Sequence, residues 1–266
     1  MELETPHLLT TLSLSFTLAC SYLFRGQAYF NFGDDVFNAR NPFSENKADS
    51  QRKFYGGYLS GPIVKNQVSF ALGINNRDIT NGSAINATII DPNFNIVPFQ
   101  QEFSVPSNRF SINPRVDVRI NDNNTLVARY EFERNTSQNF GGGFVLPSRG
   151  SERENTENTL QLTETAILNP KTVNETRFQY RVDDTEVFGD NSTPAINVLD
   201  GFFGGGSTTG LNTDKQKFWE LQNYTTTSFG ANSQHSVKFG ARIQGITLED
   251  RTENNYTGTF TFSGFL

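Results

Sequence analysis

Apolar and polar residues alternate along residues 109–134, on both sides of a tight turn at residues 121–124. Successive side chains of a β-strand point to opposite faces of the sheet. Before the turn, Phe110 and Val118 therefore fall on an apolar face, whereas Arg119 falls on a polar one. The pattern predicts a hairpin of two long strands that carry charges of both signs in mid-strand.

The same kind of hairpin recurs along the chain, with turns built from Asn, Gly, Pro, Asp and Lys as tight turns require. The other paired segments are residues 53–64 and 67–76, 157–168 and 173–183, and 217–229 and 235–248. Single strands are predicted at residues 25–34 and 256–263. The chain is therefore expected to form about ten strands, many of them of the roughly 9–11 residues that a tilted membrane crossing needs.

The connections on the other side of these hairpins differ from the short turns. Residues 78–105, 135–156 and 184–214 are long, polar and rich in Asn, Gly and Ser, and their glycine runs are interpreted as flexible surface loops. Alternation of short turns and long loops is typical of outer-membrane barrels, whereas a soluble β-sandwich has no reason to segregate loop lengths by end. The predicted fold is all-β: an antiparallel up-and-down transmembrane β-barrel, partial, with an open or incomplete sheet.

Composition agrees with a barrel that has a polar lumen. The chain of 266 residues has 25 Phe, 8 Tyr and 22 Gly, with a mean hydropathy of -0.48, and no run reaches the roughly 18 apolar residues of a spanning helix. Its net charge of -6 argues against nucleic acid as a partner. One Cys and two distant His residues form no metal motif of usual spacing. We therefore expect no cofactor, no metal and no enzymatic activity.

The alternation assigns charged strand residues to a water-filled lumen, where they line the wall or contact a ligand. These lumen candidates are Arg115, Asp117, Arg119, Arg129, Glu131, Glu133, Glu175, Arg177, Arg181, Lys238 and Arg242.

The alternation also assigns a set of apolar residues to the opposite face, which is expected to contact lipid. They are Phe110, Ile112, Val116, Val118, Leu126, Ala128, Tyr130, Phe132, Phe178, Tyr180, Val237 and Phe239.

Two parts of the chain resemble a known family. Residues 35–43 (DVFNARNPF) and 54–66 (FYGGYLSGPIVKN) look like the start of the barrel in Oar-like TonB-dependent receptors. Residues 235–240 (HSVKFG) and 256–263 (YTGTFTFS) are similar to a second recurring pair of strands in those barrels. The resemblance covers residues 25–266 in order and spacing.

The resemblance implies a barrel of about 22 strands that holds a plug, in the outer membrane of a Gram-negative bacterium. Such receptors bind a nutrient and import it with energy passed through the TonB complex. The implied partners are outer-membrane lipid, an unidentified nutrient ligand, and TonB through a plug domain missing from this chain.

Residues 1–24 do not fit this family and are treated as a separate segment. Residues 8–24 are apolar, and Leu18-Ala19-Cys20 faintly resembles a lipoprotein cleavage site, but the start is acidic where a signal peptide is positively charged. A wrong start or a shifted frame is the preferred interpretation. The chain is thus expected to be a fragment of a receptor barrel.

Two other functions remain open. A passive porin or adhesin-like barrel would apply if the natural gene lacked a plug. A secreted soluble β-protein, such as a carbohydrate-binding module, would apply if the chain were monomeric without detergent.

Overall fold

The structure is a computed structural model that describes residues 10–14, 24–37, 39, 45–230 and 234–264. Most of the separate segment 1–24, including Cys20, lies outside the described residues. So do residues 40–43 of the first resemblance motif and residues 231–233 of the last short turn.

Ten strands form one antiparallel sheet in which neighbours in the chain are neighbours in space, apart from the step from β8 to β11. The strands are β1 (Thr10–Leu14), β2 (Arg25–Asp34), β3 (Gln51–Val64), β4 (Val68–Ile90), β5 (Ile96–Asn121), β6 (Asn124–Asn139), β7 (Ser151–Asn169), β8 (Thr172–Gly189), β11 (Asn212–Phe229) and β12 (His235–Arg251). In the part of the chain that the structure describes, β1 and β12 do not pair with each other. The all-β, up-and-down, open sheet expected from the alternation is confirmed.

The short turns lie where the sequence predicts them. Asn66 adopts a φ of 60° between β3 and β4, and the connection from β5 to β6 is only Asp122-Asn123. Asn side chains close two of the turns: Asn121 Oδ1 accepts from the amide of Asn123 at 2.9 Å, and Asn169 Oδ1 accepts from that of Lys171 at 3.0 Å.

The prediction that residues 78–105 form a long loop is wrong. β4 and β5 continue as a paired ladder as far as Ile90 and Ile96, so that only five residues connect them. The 26 residues of β5 reach on the order of 85–90 Å at about 3.4 Å per residue. This hairpin therefore extends far beyond the rest of the sheet.

The other two long connections are partly structured as well. β6 and β8 run past their predicted ends, and residues 190–211 contain the short strands β9 (Ala195–Val198) and β10 (Phe202–Gly205). Both glycine runs contain left-handed residues: Gly143 has a φ of 58° and Gly205 a φ of 72°. Gly143 forms a bridge with Ile85, and Gly205 belongs to β10. The flexibility of these runs stays a prediction.

The prediction that residues 256–263 form a further strand of the barrel wall is also wrong. This segment contains only β13 (Thr259–Phe262), which pairs in parallel with β9 in a separate three-stranded sheet. The chain leaves the wall after β12 through a turn in which Asn255 and Gly258 have φ angles of 53° and 81°. Alternation specifies a strand but not its neighbour, which is why the misplacement occurs.

These extended connections assemble into one structure at one end of the sheet, which we call the cap and define as residues 81–105, 140–150, 190–211 and 252–264. Gly143 bridges to the open edge of β4 by accepting from the amide of Asn86 at 2.8 Å and donating to Ala84 at 3.0 Å. Phe203 of β10 in turn pairs with residues 144 and 146. The cap thus continues from β4 through these bridges to β10, β9 and β13.

The described residues contain two single-turn 3-10 helices, Asp35–Phe37 and Pro147–Arg149, and none of the described helices is long and apolar enough to cross a membrane.

Candidate lumen wall and cap

The strand registers place the two predicted residue sets on opposite faces of the ten-stranded sheet. On one face, Val116 lies opposite Ala128 of the next strand, and Phe178 lies opposite Leu221. On the other face, Arg115 lies opposite Arg129. All twelve predicted lipid-facing residues lie on the first face, which we call the apolar face. All eleven lumen candidates lie on the second, the polar face.

Burial on this wall is the reverse of that in a soluble protein. At the middle of the sheet the polar-face residues Thr159 and Glu220 are 5% and 8% exposed, whereas the apolar-face residues Leu160 and Leu221 are 38% and 43% exposed. Polar side chains shield one another in this way when the sheet curves with their face on the concave side. Contiguous apolar surface of this extent is rare on soluble monomers and marks contact with a protein or a membrane.

The height of the apolar face matches a bilayer. On β5 it runs from Phe110 to Ile120, ten residue steps and about 34 Å along the strand, or about 26 Å across the membrane at a tilt near 40°. Barrels of the outer membrane have an apolar band about 25 Å tall, flanked by aromatic residues. Aromatic side chains follow the upper limit of the apolar face in this chain: Tyr55, Phe110, Phe132, Tyr180 and Trp219.

Beyond those aromatic residues, toward the cap, the apolar face becomes polar. Ion pairs join neighbouring strands there, including Arg134 to Glu154 at 2.7 Å and Lys215 to Asp184 at 2.6 Å. A shallow hollow of about 870 Å³ in this region is lined by many polar residues, together with Ile79, Pro106, Val182 and Phe188. The strands therefore leave the apolar environment at this level and continue in water.

A comparison with protein families agrees with this geometry: the family described as outer membrane beta barrel domain matches residues 75–266. The chain belongs to the outer membrane β-barrel domain family. No curated protein and no solved structure was found to match it. The family places the chain in the outer membrane of a Gram-negative bacterium, as the sequence predicts.

In outer membrane β-barrels the short turns face the periplasm and the longer connections face the outside. The cap of this β-barrel domain is therefore the extracellular end, and the aromatic residues below it mark the outer membrane surface. Nearly all buried apolar side chains among the described residues lie in the cap or beside it: Ala48, Ile85, Ala87, Ala195 and Val198.

Most lumen candidates of the barrel wall have close partners on the same face. Arg115 donates to both carboxylate oxygens of Asp117, with Nη2 to Oδ1 at 2.6 Å and Nε to Oδ2 at 2.9 Å. Arg177 pairs with Glu175 at 2.9 Å.

Five further candidates have partners outside the predicted set. Glu133 pairs with Arg109, Arg119 with Asp122, and Arg242 with Glu220; Arg181 donates to Gln216, and Lys238 lies over the ring of Tyr224. Arg129 and Glu131 have neither an ion pair nor a side-chain hydrogen bond with any described residue. That this face lines a water-filled lumen stays a prediction.

Several charged residues of the same face were not among the sequence candidates although the alternation could have identified them, among them Glu157, Asp183 and Glu220. Glu157 and Asp183 lie in predicted strands, directly opposite each other and next to Glu133. Glu220 is the most buried carboxylate of the wall and accepts from Gln222 and Arg242. Among the described residues, no group of three His, Cys, Asp or Glu side chains could hold a metal ion.

Within the cap, Arg149 joins two connections. Its guanidinium donates to Asn197 Oδ1 at 3.2 Å and to Thr208 Oγ1 at 3.4 Å. These acceptors are neutral, and burial lowers the pKa of Arg149 below its usual value. Arg149 therefore holds residues 140–150 against residues 190–211.

The tip of the long hairpin is held by Asp91. Its Oδ1 accepts from the amides of Asn93 and Asn95, each at 2.8 Å, and the hydrogen bonds from Asn95 are the main cause that lowers the pKa of this carboxyl. The turn holds Phe94 at a φ of 65°, unusual for a bulky residue, with 88% of the residue exposed.

Proposed function

We propose that this β-barrel domain forms part of the wall of a TonB-dependent receptor of the Oar-like type, which binds a nutrient at the cell surface and imports it. Chemical catalysis is not part of this function. The observation that carries the proposal is the segment of residues 54–66, whose resemblance to the receptor family is described above. It occupies β3 and the first periplasmic turn.

The open ten-stranded wall is the observation that favours a wide barrel in this proposal. Ten strands curve without closing in the described part of the chain, and barrels of about 22 strands hold a plug rather than a packed core. The plug would lie against the polar face and would contact TonB. Because the outer membrane has no energy source of its own, import against a gradient depends on that contact.

The cap supports the binding step. It is a built structure with its own buried side chains, among them Ile85 and Ala195 at 1% exposure each, so it presents a defined surface to the outside. In the proposed mechanism the ligand binds to the cap and the plug then rearranges to open the lumen.

A passive porin is the second candidate. It is favoured by the many charges of both signs on the polar face, which would suit a water-filled channel as well as a plugged one. The two functions differ in their need for energy.

The test uses cells that carry or lack the complete gene, with a panel of labelled solutes that includes iron chelates, oligosaccharides and oligopeptides. For a solute whose uptake requires the gene, collapse of the inner-membrane proton gradient with a protonophore should stop uptake while gene-dependent surface binding persists. Uptake that continues unchanged after the collapse would replace this proposal with the passive pore.

A further inference from the structure

Charges on the polar face are unevenly distributed between two belts that run across neighbouring strands: the rows of the acidic belt also hold Arg181, and those of the basic belt also hold Asp117 and Glu220. The acidic belt consists of Glu131, Glu133, Glu157 and Asp183, which occupy two adjacent rows on β6, β7 and β8. The basic belt consists of Arg115, Arg129, Arg177 and Arg242, on two adjacent rows closer to the short turns. The face therefore changes sign along the barrel axis.

Three members of the acidic belt have hydrogen-bond partners among their neighbours, whereas Glu131 has none among the described residues. Glu133 accepts from Arg109 and from Asn135, each at 2.7 Å, and Asp183 accepts from Asn155 at 2.7 Å.

In the basic belt, Arg129 has no partner among the described residues, and the same is true of Glu131, two residues along the same strand and face. A cross-strand neighbour of Arg129 is Arg115, and like charges directly opposite each other in a sheet destabilise it. Asp117 already binds the guanidinium of Arg115 through both carboxylate oxygens. Neither cross-strand neighbour of Arg129, Arg115 on β5 or Gln161 on β7, is acidic.

The wall forms a hollow of about 360 Å³ at this place. Arg129 and Arg177 both line it, together with the amide side chains of Gln161, Gln179 and Gln222. Glu220 also lines the hollow, but its two oxygens accept from Gln222 and Arg242. Arg177 also pairs with Glu175, Gln161 donates to Gln179, and Gln222 donates to Glu220. Arg129 is therefore the charged donor of the hollow that has no partner among the described residues.

We propose that this hollow is a binding site for a small oxyanion, a carboxylate or a phosphate group, held between Arg129 and Arg177. A planar guanidinium donates two parallel hydrogen bonds to such a group, and the glutamine amides supply further donors. The bound anion relieves the repulsion between Arg115 and Arg129. The site requires only that the polar face is open to water, and it does not depend on TonB or on energy coupling.

The experiment measures binding of inorganic phosphate and, separately, of acetate to the full chain in detergent micelles by titration calorimetry at constant ionic strength. The two probes distinguish a phosphate site from a carboxylate site. Saturable binding of at least one of them is expected. Arg129→Gln should weaken it roughly tenfold or more, since a hydrogen bond to a charged group contributes about 1.5–3 kcal/mol. Arg129→Lys keeps the positive charge but lacks the planar guanidinium that donates two parallel hydrogen bonds, so this variant should bind the anion with intermediate affinity.

Arg153→Gln is the matched control, because Arg153 is an exposed arginine on the same face but near the cap. It should leave the affinity unchanged. Retained strand content in circular dichroism and resistance to detergent denaturation show that each variant is folded, and Arg129→Gln should fold well because it removes one of two opposed charges. Absence of saturable binding of either probe, or equal affinity in Arg129→Gln and the unaltered chain, would overturn the proposal.

Discussion

Trp219 on β11 covers Gly245, its direct cross-strand neighbour on β12. A Cβ atom at Gly245 would lie 2.4 Å from Nε1 of the indole, closer than such atoms approach in proteins. The absence of a side chain at Gly245 therefore leaves the space that the indole of Trp219 occupies. Trp219 is the only tryptophan of the chain, and it lies at the upper limit of the apolar face.

Substitution Gly245→Val should displace this indole. The indole is 42% exposed and has to turn outward, so we expect a shift of the tryptophan emission and a loss of stability of about 1 kcal/mol, the lower end for overpacked sites. Gly73→Val is the control, since a Cβ at Gly73 meets no atom within 4 Å. Unchanged emission in Gly245→Val would show that the indole does not lie where the structure places it.

The two faces should respond differently to an added charge. Val116 lies near the middle of the apolar stretch of β5, between Phe110 and Ile120, and Asn113 lies three residues away on the polar face. Val116→Arg should cost about 2–4 kcal/mol, because a charge at the bilayer midplane is unfavourable. Asn113→Arg should cost much less, because its side chain points toward water.

Both variants can be compared by unfolding in urea from lipid vesicles. Equal losses in the two variants would contradict the assignment of the faces.

Alternation predicted these faces well because lipid and water impose opposite demands on neighbouring residues. It failed for residues 78–105, where the hairpin lies beyond the apolar band and packs partly against the rest of the cap, so that lipid no longer imposes a strict alternation. It placed residues 256–263 in the wall because β13 alternates Thr and Phe like a wall strand. The isolation of Arg129 could not be predicted either, because it depends on which residue lies opposite in the next strand.

A substitution in the core of the cap should destabilise the cap without destabilising the wall. Ile85 is 1% exposed, so Ile85→Ala should cost the cap about 2–5 kcal/mol. The expected result is faster protease cleavage within residues 140–150 and 190–211 while the wall stays protected. Ile96→Ala, at a position 55% exposed in the same hairpin, should change the cleavage rate little. If both variants were cleaved at the same rate as the unaltered chain, Ile85 would not be part of a cap core.

The turn at the tip of the long hairpin should depend on pH. The pKa of Asp91 is lowered from its usual value of 3.8 by hydrogen bonds from Asn95 and Asn93. Its contribution is therefore complete above about pH 4 and is lost as the pH falls through the lowered pKa. An NMR titration of the Asp91 carboxyl should give a pKa below 3.8, and the amide signals of Asn93 and Asn95 should shift with it. In Asp91→Asn those amide shifts should not titrate, whereas a pKa at or above 3.8 in the unaltered chain would contradict the turn geometry.

The central claim is that the exposed apolar face of this curved sheet contacts lipid, and Trp219 reports on it directly. The chain is inserted into vesicles of phosphatidylcholine brominated at defined positions of the acyl chain, and the tryptophan fluorescence is compared with that in unbrominated vesicles. Bromines near the headgroup should quench Trp219 strongly and bromines near the bilayer centre more weakly, with little quenching by aqueous iodide. Strong quenching by iodide with none by any brominated lipid would contradict the account.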